Sequence, residues 1–166
     1  TAEEHAHAVN EHIWMSPARY ARQVENLRDA LAEADPAHAA AYRANAERYL
    51  AQVREMEVRA SRLSQALAGR DCATFHDSAA YLAADLSLHV TAALSIGEES
   101  GASAGELAAA ADALRGRDVL LLYDGQYPVE YAYLADYASS SRTVVLDTAV
   151  KPSTGADPAV RWLDAM

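Results

Sequence analysis

Cysteine is almost missing from this chain of 166 residues: Cys72 is the only one. A single thiol forms no intrachain disulfide and builds no thiolate zinc site alone. It lies in an apolar stretch and reads as a buried, inert group. Basic residues are also scarce. Fourteen Lys and Arg stand against 24 Asp and Glu, a net charge of −10. No basic stripe stands out, so neither nucleic acid nor an anionic membrane surface is expected as a partner. No run is long and apolar enough to span a bilayer, and no signal peptide is recognised. Neither GxGxxG nor GxxxxGK[ST] occurs, which argues against nucleotide binding. There is no GxSxG elbow, no HExxH pair, no solenoid repeat and no low-complexity tract.

What is present is helix-forming and organised. The hydrophobic fraction is 51%, much of it alanine, and the length suits one domain or one domain plus a piece of another. Residues 1–15 lack periodicity, carry Glu3, Glu4, His5, His7, Glu11 and His12, and read as a loop. Ser16-Pro17 is a cap followed by a first-turn proline. It opens a helix to Ala34 with Tyr20, Val24, Leu27 and Leu31 on one stripe. Asp35-Pro36 repeats the signal. The second helix runs to about Ala68, with Tyr42, Ala46, Tyr49, Val53, Met56, Ala60, Leu63 and Leu67 recurring at alternating steps and Gly69 as its stop. At about 45 Å it is long for a small domain; a coiled coil and a brace between two lobes both fit it.

After Gly69 strands and helices alternate. Strands are expected at Cys72–Phe75, His89–Ile96, Val119–Tyr123 and Thr143–Leu146. Helices are expected at about Ser78–Asp85, from the Ser103/Glu106 capping box to Leu114, over Pro128–Ala138, and from Pro158. This order specifies an α/β fold: a four-stranded parallel sheet flanked by helices. Ligands of such sheets sit outside the carboxyl ends of the strands. There the sequence places His76, then Glu98 and Glu99, then Asp124, then Asp147. Imidazole plus carboxylate is the ligand set of a borderline divalent ion such as zinc. On these grounds alone, His12 fits a surface position as well as a ligand. His76 fits a strand-end histidine bonded to Asp77, and Asp147 fits a turn aspartate. His38 and His89 read as solvated or structural, and Trp14 as an anchor holding the His12 loop against the first helix.

Four segments carry a more specific signal: NEHIWMSP, DALAEADPAHAAAYRANAERYLAQV, TFHDSAAYLAADLSL and YDGQYPVEYAYLADYASSSRTVVLDTA. In order, they resemble segments of the metal-binding substrate-binding proteins of ABC transporters, the zinc and manganese receptors. Two departures are visible: Asp124-Gly125-Gln126 where the family tends to carry Glu before Gln, and a long GEESGASAGE loop. The resemblance implies two α/β lobes bridged by one long helix, with an ion held in the cleft between them. It divides the chain into a remnant of an amino-terminal lobe (1–35), a linker helix (36–69) and a carboxy-terminal α/β lobe (70–166). It assigns His12, His76 and Asp147 as metal ligands, with a further histidine expected upstream of Thr1. His5 and His7 are similar to a histidine-bearing metal-collecting loop. His76 stands where manganese receptors tend to carry glutamate, so zinc is expected first and manganese second.

The function implied is an extracytoplasmic solute receptor, periplasmic or lipid-anchored, that hands a divalent metal ion to a transporter permease and catalyses nothing. Its export signal would lie outside this chain, and the exposed amino-lobe remnant would favour self-association. Two other classes fit less well. A metal-dependent hydrolase using His76 and Asp147 would need a base, for which only Asp77 or Glu99 offers itself. An adhesin or a relative of siderophore receptors would share the long-helix architecture.

Overall fold

The computed structural model describes residues 10–94, 101–125 and 132–148. Helix α1 spans Pro17–Ala34, capped by Ser16, whose Oγ accepts from the Arg19 amide. Helix α2 spans Ala39–Leu67. Its expected start at Pro36 is instead a 3₁₀ turn, Pro36–His38, because the proline ring and the Asp35 break tighten the first turn. Gly69 follows with φ of +73° and donates its amide to the Ser87 carbonyl. That left-handed backbone is where glycine is favoured.

Strands β1 (Asp71–Thr74), β2 (His89–Ala93), β3 (Asp118–Asp124) and β4 (Ser140–Leu146) form one parallel sheet in the order β2-β1-β3-β4. Helix α3 (Ala80–Asp85) and helix α4 (Ala104–Leu114) complete the described elements, with a 3₁₀ turn at Ala132–Tyr137. Period-two alternation sorts the core onto two faces. Cys72, Leu120 and Leu122 pack with α3, Met15, Met56 and Ala60. Ala73, Val119, Leu121 and Tyr123 pack with α4 and Leu134. Helix α2 therefore serves two neighbours: its first half lies along α1, where the Tyr20 and Tyr49 hydroxyls meet at 2.7 Å, and its second half seals one face of the sheet.

Several boundaries move. β1 starts one residue early because Asp71 registers with both His89 and Val119. β2 ends at Ala93, with Leu94 still donating to the Thr74 carbonyl. The segment expected as helix over 128–138 is 3₁₀ over Ala132–Tyr137. The Gly116 amide donates to the Tyr137 carbonyl at its end, and residues 128–131 lie outside the described residues. β4 begins three residues early at Ser140, whose hydroxyl donates to Asp118. Its first four residues are exposed, so they carry none of the apolar signal of a buried parallel strand. The loop bearing Glu98 and Glu99, the histidines His5 and His7, and the helix expected from Pro158 lie outside the described residues. No described helix is long and apolar enough to cross a membrane.

Candidate metal centre

The strand order reverses between β1 and β3, so the crevice beyond their carboxyl ends is the expected ligand position. β1 delivers His76 there. Its backbone is extended, with φ of −155°, and the Ser78 amide donates to its Nδ1 at 3.2 Å. β3 delivers Asp124, which is 4% exposed. A buried carboxylate needs partners, and Asp124 has them: Ser78 Oγ donates at 3.0 Å and Thr148 Oγ1 donates at 3.0 Å.

His12 reaches the same point from the other end of the chain. A 3₁₀ turn at Ile13–Met15 and the cap of α1 fix the segment that carries it. Met15 is fully buried in the sheet core. Trp14 Nε1 donates to the Thr148 carbonyl at 3.0 Å, so this indole anchors the loop to the exit of β4 and not to α1 as expected. Ser16 Oγ donates to Asp85 at 2.6 Å, Arg19 pairs with the same carboxylate at 3.2 Å, and the Arg19 guanidinium lies over the Tyr81 ring.

The two histidines, 64 positions apart in sequence (76 − 12), have ring centroids 5.0 Å apart, with planes 83° apart. Their side chains are both 14% exposed. Asp77 Oδ1 lies between them, 3.3 Å from His12 Nδ1 and 3.4 Å from His76 Nδ1. Among the described residues, His12, His76 and Asp77 each offer a ligand atom within 4.8 Å of the others. Tetrahedral zinc with bonds of about 2.0–2.1 Å has ligand atoms about 3.3 Å apart, so the group matches the scale of a small divalent ion.

Of the residues singled out in the sequence, His12 and His76 converge. Asp147 sits one residue beyond β4, half-buried between Leu146 and Thr148, and is not a member of that three-residue group. His38 pairs with Asp35 at 2.7 Å and His89 with Asp71 at 2.7 Å, both on exposed ground away from the crevice. Sequence reasoning missed Asn10, Ser78 and Thr148, which hold the site's groups in place. Asp77 it placed only as a partner of His76 or a base.

Comparison with known proteins decides the family. Over residues 1–166 the chain matches the family described as zinc-uptake complex component A, periplasmic, or ZnuA. The chain belongs to the ZnuA family. It is 28% identical over 151 residues to the zinc-binding protein AdcA of Streptococcus pyogenes serotype M6, covering 90% of this chain and 27% of that protein. The zinc-binding lipoprotein AdcA of Streptococcus pneumoniae strain R6 is 29% identical over 122 residues, covering 73% and 24%. A crystal structure of ZnuA matches with a TM-score of 0.65 and 26% identity, covering 93% of this chain and 55% of that one. The Ni²⁺ complex of FpvC from P. aeruginosa matches with a TM-score of 0.76 at 23% identity, covering 92% and 57%, which speaks for the fold. The chain thus spans about a quarter of the AdcA proteins and little more than half of the solved chains. The α/β sheet and the receptor family read from the sequence are both borne out.

Proposed function

We propose that this ZnuA-family chain binds a divalent metal ion, zinc before manganese, as part of an extracytoplasmic receptor that passes the ion to an ABC transporter permease. The observation that carries this reading is the convergence of His12 and His76 at 5.0 Å beside a carboxylate. The names of the AdcA relatives, zinc-binding protein and zinc-binding lipoprotein, support the choice of zinc and the location. Two imidazoles with a carboxylate oxygen suit zinc better than manganese, which prefers oxygen ligands. His12, His76 and Asp147 are the proposed ligands, and Asp77 lies against both rings. We assign the chain no catalytic step. Residues 1–35 belong with an amino-terminal lobe, 36–69 form the linker helix and 70–166 the carboxy-terminal lobe, with the ion between the lobes. Because Leu27 is 60% and Leu31 39% exposed on α1, copies of this chain associate through that helix.

Competition titration with zinc tests the site. His12→Ala and His76→Ala are each expected to weaken binding at least about tenfold, since each removes a nitrogen ligand. His38→Ala, outside the crevice, is expected to leave affinity unchanged. A longer chain that supplies an upstream lobe is expected to bind more tightly than this one. Zinc affinity untouched by both crevice substitutions would overturn the assignment.

A further inference from the structure

A neutral imidazole has one lone-pair nitrogen, and the residue bonded to the other nitrogen decides which one it is. At His12 that residue is Asn10. The His12 backbone amide donates to Asn10 Oδ1 at 3.0 Å. A backbone N–H only donates, so the accepting atom is the amide oxygen. The other branch of the same amide donates to the Asp77 carbonyl at 2.8 Å. A carbonyl only accepts, so that atom is the nitrogen. Two independent bonds thus fix the orientation of the Asn10 amide. Tyr81 donates its hydroxyl to the Asn10 carbonyl at 2.9 Å, which pins the backbone of residue 10 to α3.

His12 Nδ1 lies 2.9 Å from that same amide oxygen. An amide oxygen only accepts, so Nδ1 carries the hydrogen and Nε2 carries the lone pair. Asp77 Oδ1, 3.3 Å from Nδ1, faces the same hydrogen-bearing edge. We infer that Asn10 is a positioning residue for the metal centre: it fixes His12 in the Nδ1–H tautomer, so that the ion is met by Nε2. This inference rests on the metal-binding reading above. It narrows the part of Asp77. Its carboxylate lies close to the Nδ1 edges of both rings, but at His76 the Ser78 amide donates to Nδ1, and at His12 that edge is closed by Asn10. Asp77 acts there as a second acceptor for the Nδ1 hydrogen. Such an acceptor behind a metal-binding imidazole orients the ring and raises its basicity.

The tautomer is read without metal. Long-range ¹H–¹⁵N correlation spectra of the labelled chain, in mildly alkaline buffer, report which His12 nitrogen bears hydrogen. The expected result is Nδ1–H in the parent. In Asn10→Ala, where only the more distant Asp77 oxygen at 3.3 Å remains, a partial shift toward the Nε2–H form is expected, with zinc affinity falling about 10- to 100-fold. Asn10→Asp keeps an oxygen acceptor for Nδ1 while losing the donor to the Asp77 carbonyl, and is expected to hold the Nδ1–H form. Far-ultraviolet circular dichroism and a thermal melt confirm that both variants are folded. On adding zinc, the His12 Nε2 resonance is expected to move most. An Nε2–H parent, an unchanged tautomer in Asn10→Ala, or a zinc shift confined to Nδ1 would each overturn the inference. Loss of the metal-binding reading has a different signature: the parent shows the Asn10-dependent tautomer, yet zinc moves neither His12 nitrogen.

Discussion

Burial in strand β1 pushes the Cys72 thiol up to about 11 from an ordinary 9.0. As pH rises the unfolded chain gives up this proton first. The stability that the protonated thiol contributes is whole below the ordinary value and is lost as pH climbs through the folded one, a change of about 2–3 kcal/mol. Tyr123, pushed by burial to about 12 from 10.0, adds a loss at still higher pH. Urea denaturation at steps across this alkaline range should show the decline. Cys72→Ala should be less stable at neutral pH and show a flatter slope, and the native thiol should resist thiol reagents near neutrality. Cys72 was legible because an isolated cysteine in an apolar run has one natural place. His12 and His76 were legible as candidates because imidazoles stood beside a helix cap and at a strand end. Asn10, Ser78 and Thr148 were not. Each acts through a hydrogen bond to a group 46 to 134 residues away or through local turn geometry, and neither leaves a spacing to read.

Ser16 ties two elements together. It caps α1 through the Arg19 amide and, fully buried, donates to Asp85 at the end of α3. Ser16→Ala removes the cap and leaves one oxygen of Asp85 without its hydroxyl partner, at an expected cost of about 1–2 kcal/mol in chemical denaturation. Because the Ser16 cap lies four residues after His12, the same change should also weaken zinc binding, measured by the same competition titration. Helices α1 and α4 were legible almost to the residue, since cap and proline signals mark their ends chemically. The edge strand β4 was cut short by sequence reasoning. Ser140 to Thr143 join the sheet through backbone pairing to Asp118–Leu121, which any side chain permits. The 3₁₀ segment at Ala132–Tyr137 departs from the expected helix, and it ends on a bond from the Gly116 amide that periodicity does not encode.

At the scale of the molecule, the sheet and the α1–α2 pair meet only partway along α2, and this leaves the outer stripe of α1 open. Sedimentation velocity over a concentration series should detect association of copies, and Leu27→Glu should shift the population toward monomer. The layered α/β plan was legible because alternating strands and helices admit few arrangements. How residues 10–19 settle onto the sheet was not, since the bonds that hold them reach Asp77, Asp85 and Thr148. Those bonds span 67, 69 and 134 positions of sequence. Contacts of such separation close large loops at a cost in chain entropy, which slows folding. A growing chain that has made both histidines but not yet Thr148 lacks the carbonyl that anchors Trp14. The loop that carries His12 therefore closes on the sheet only after β4 is in place, which makes Thr148 the clasp of a segment 134 positions upstream.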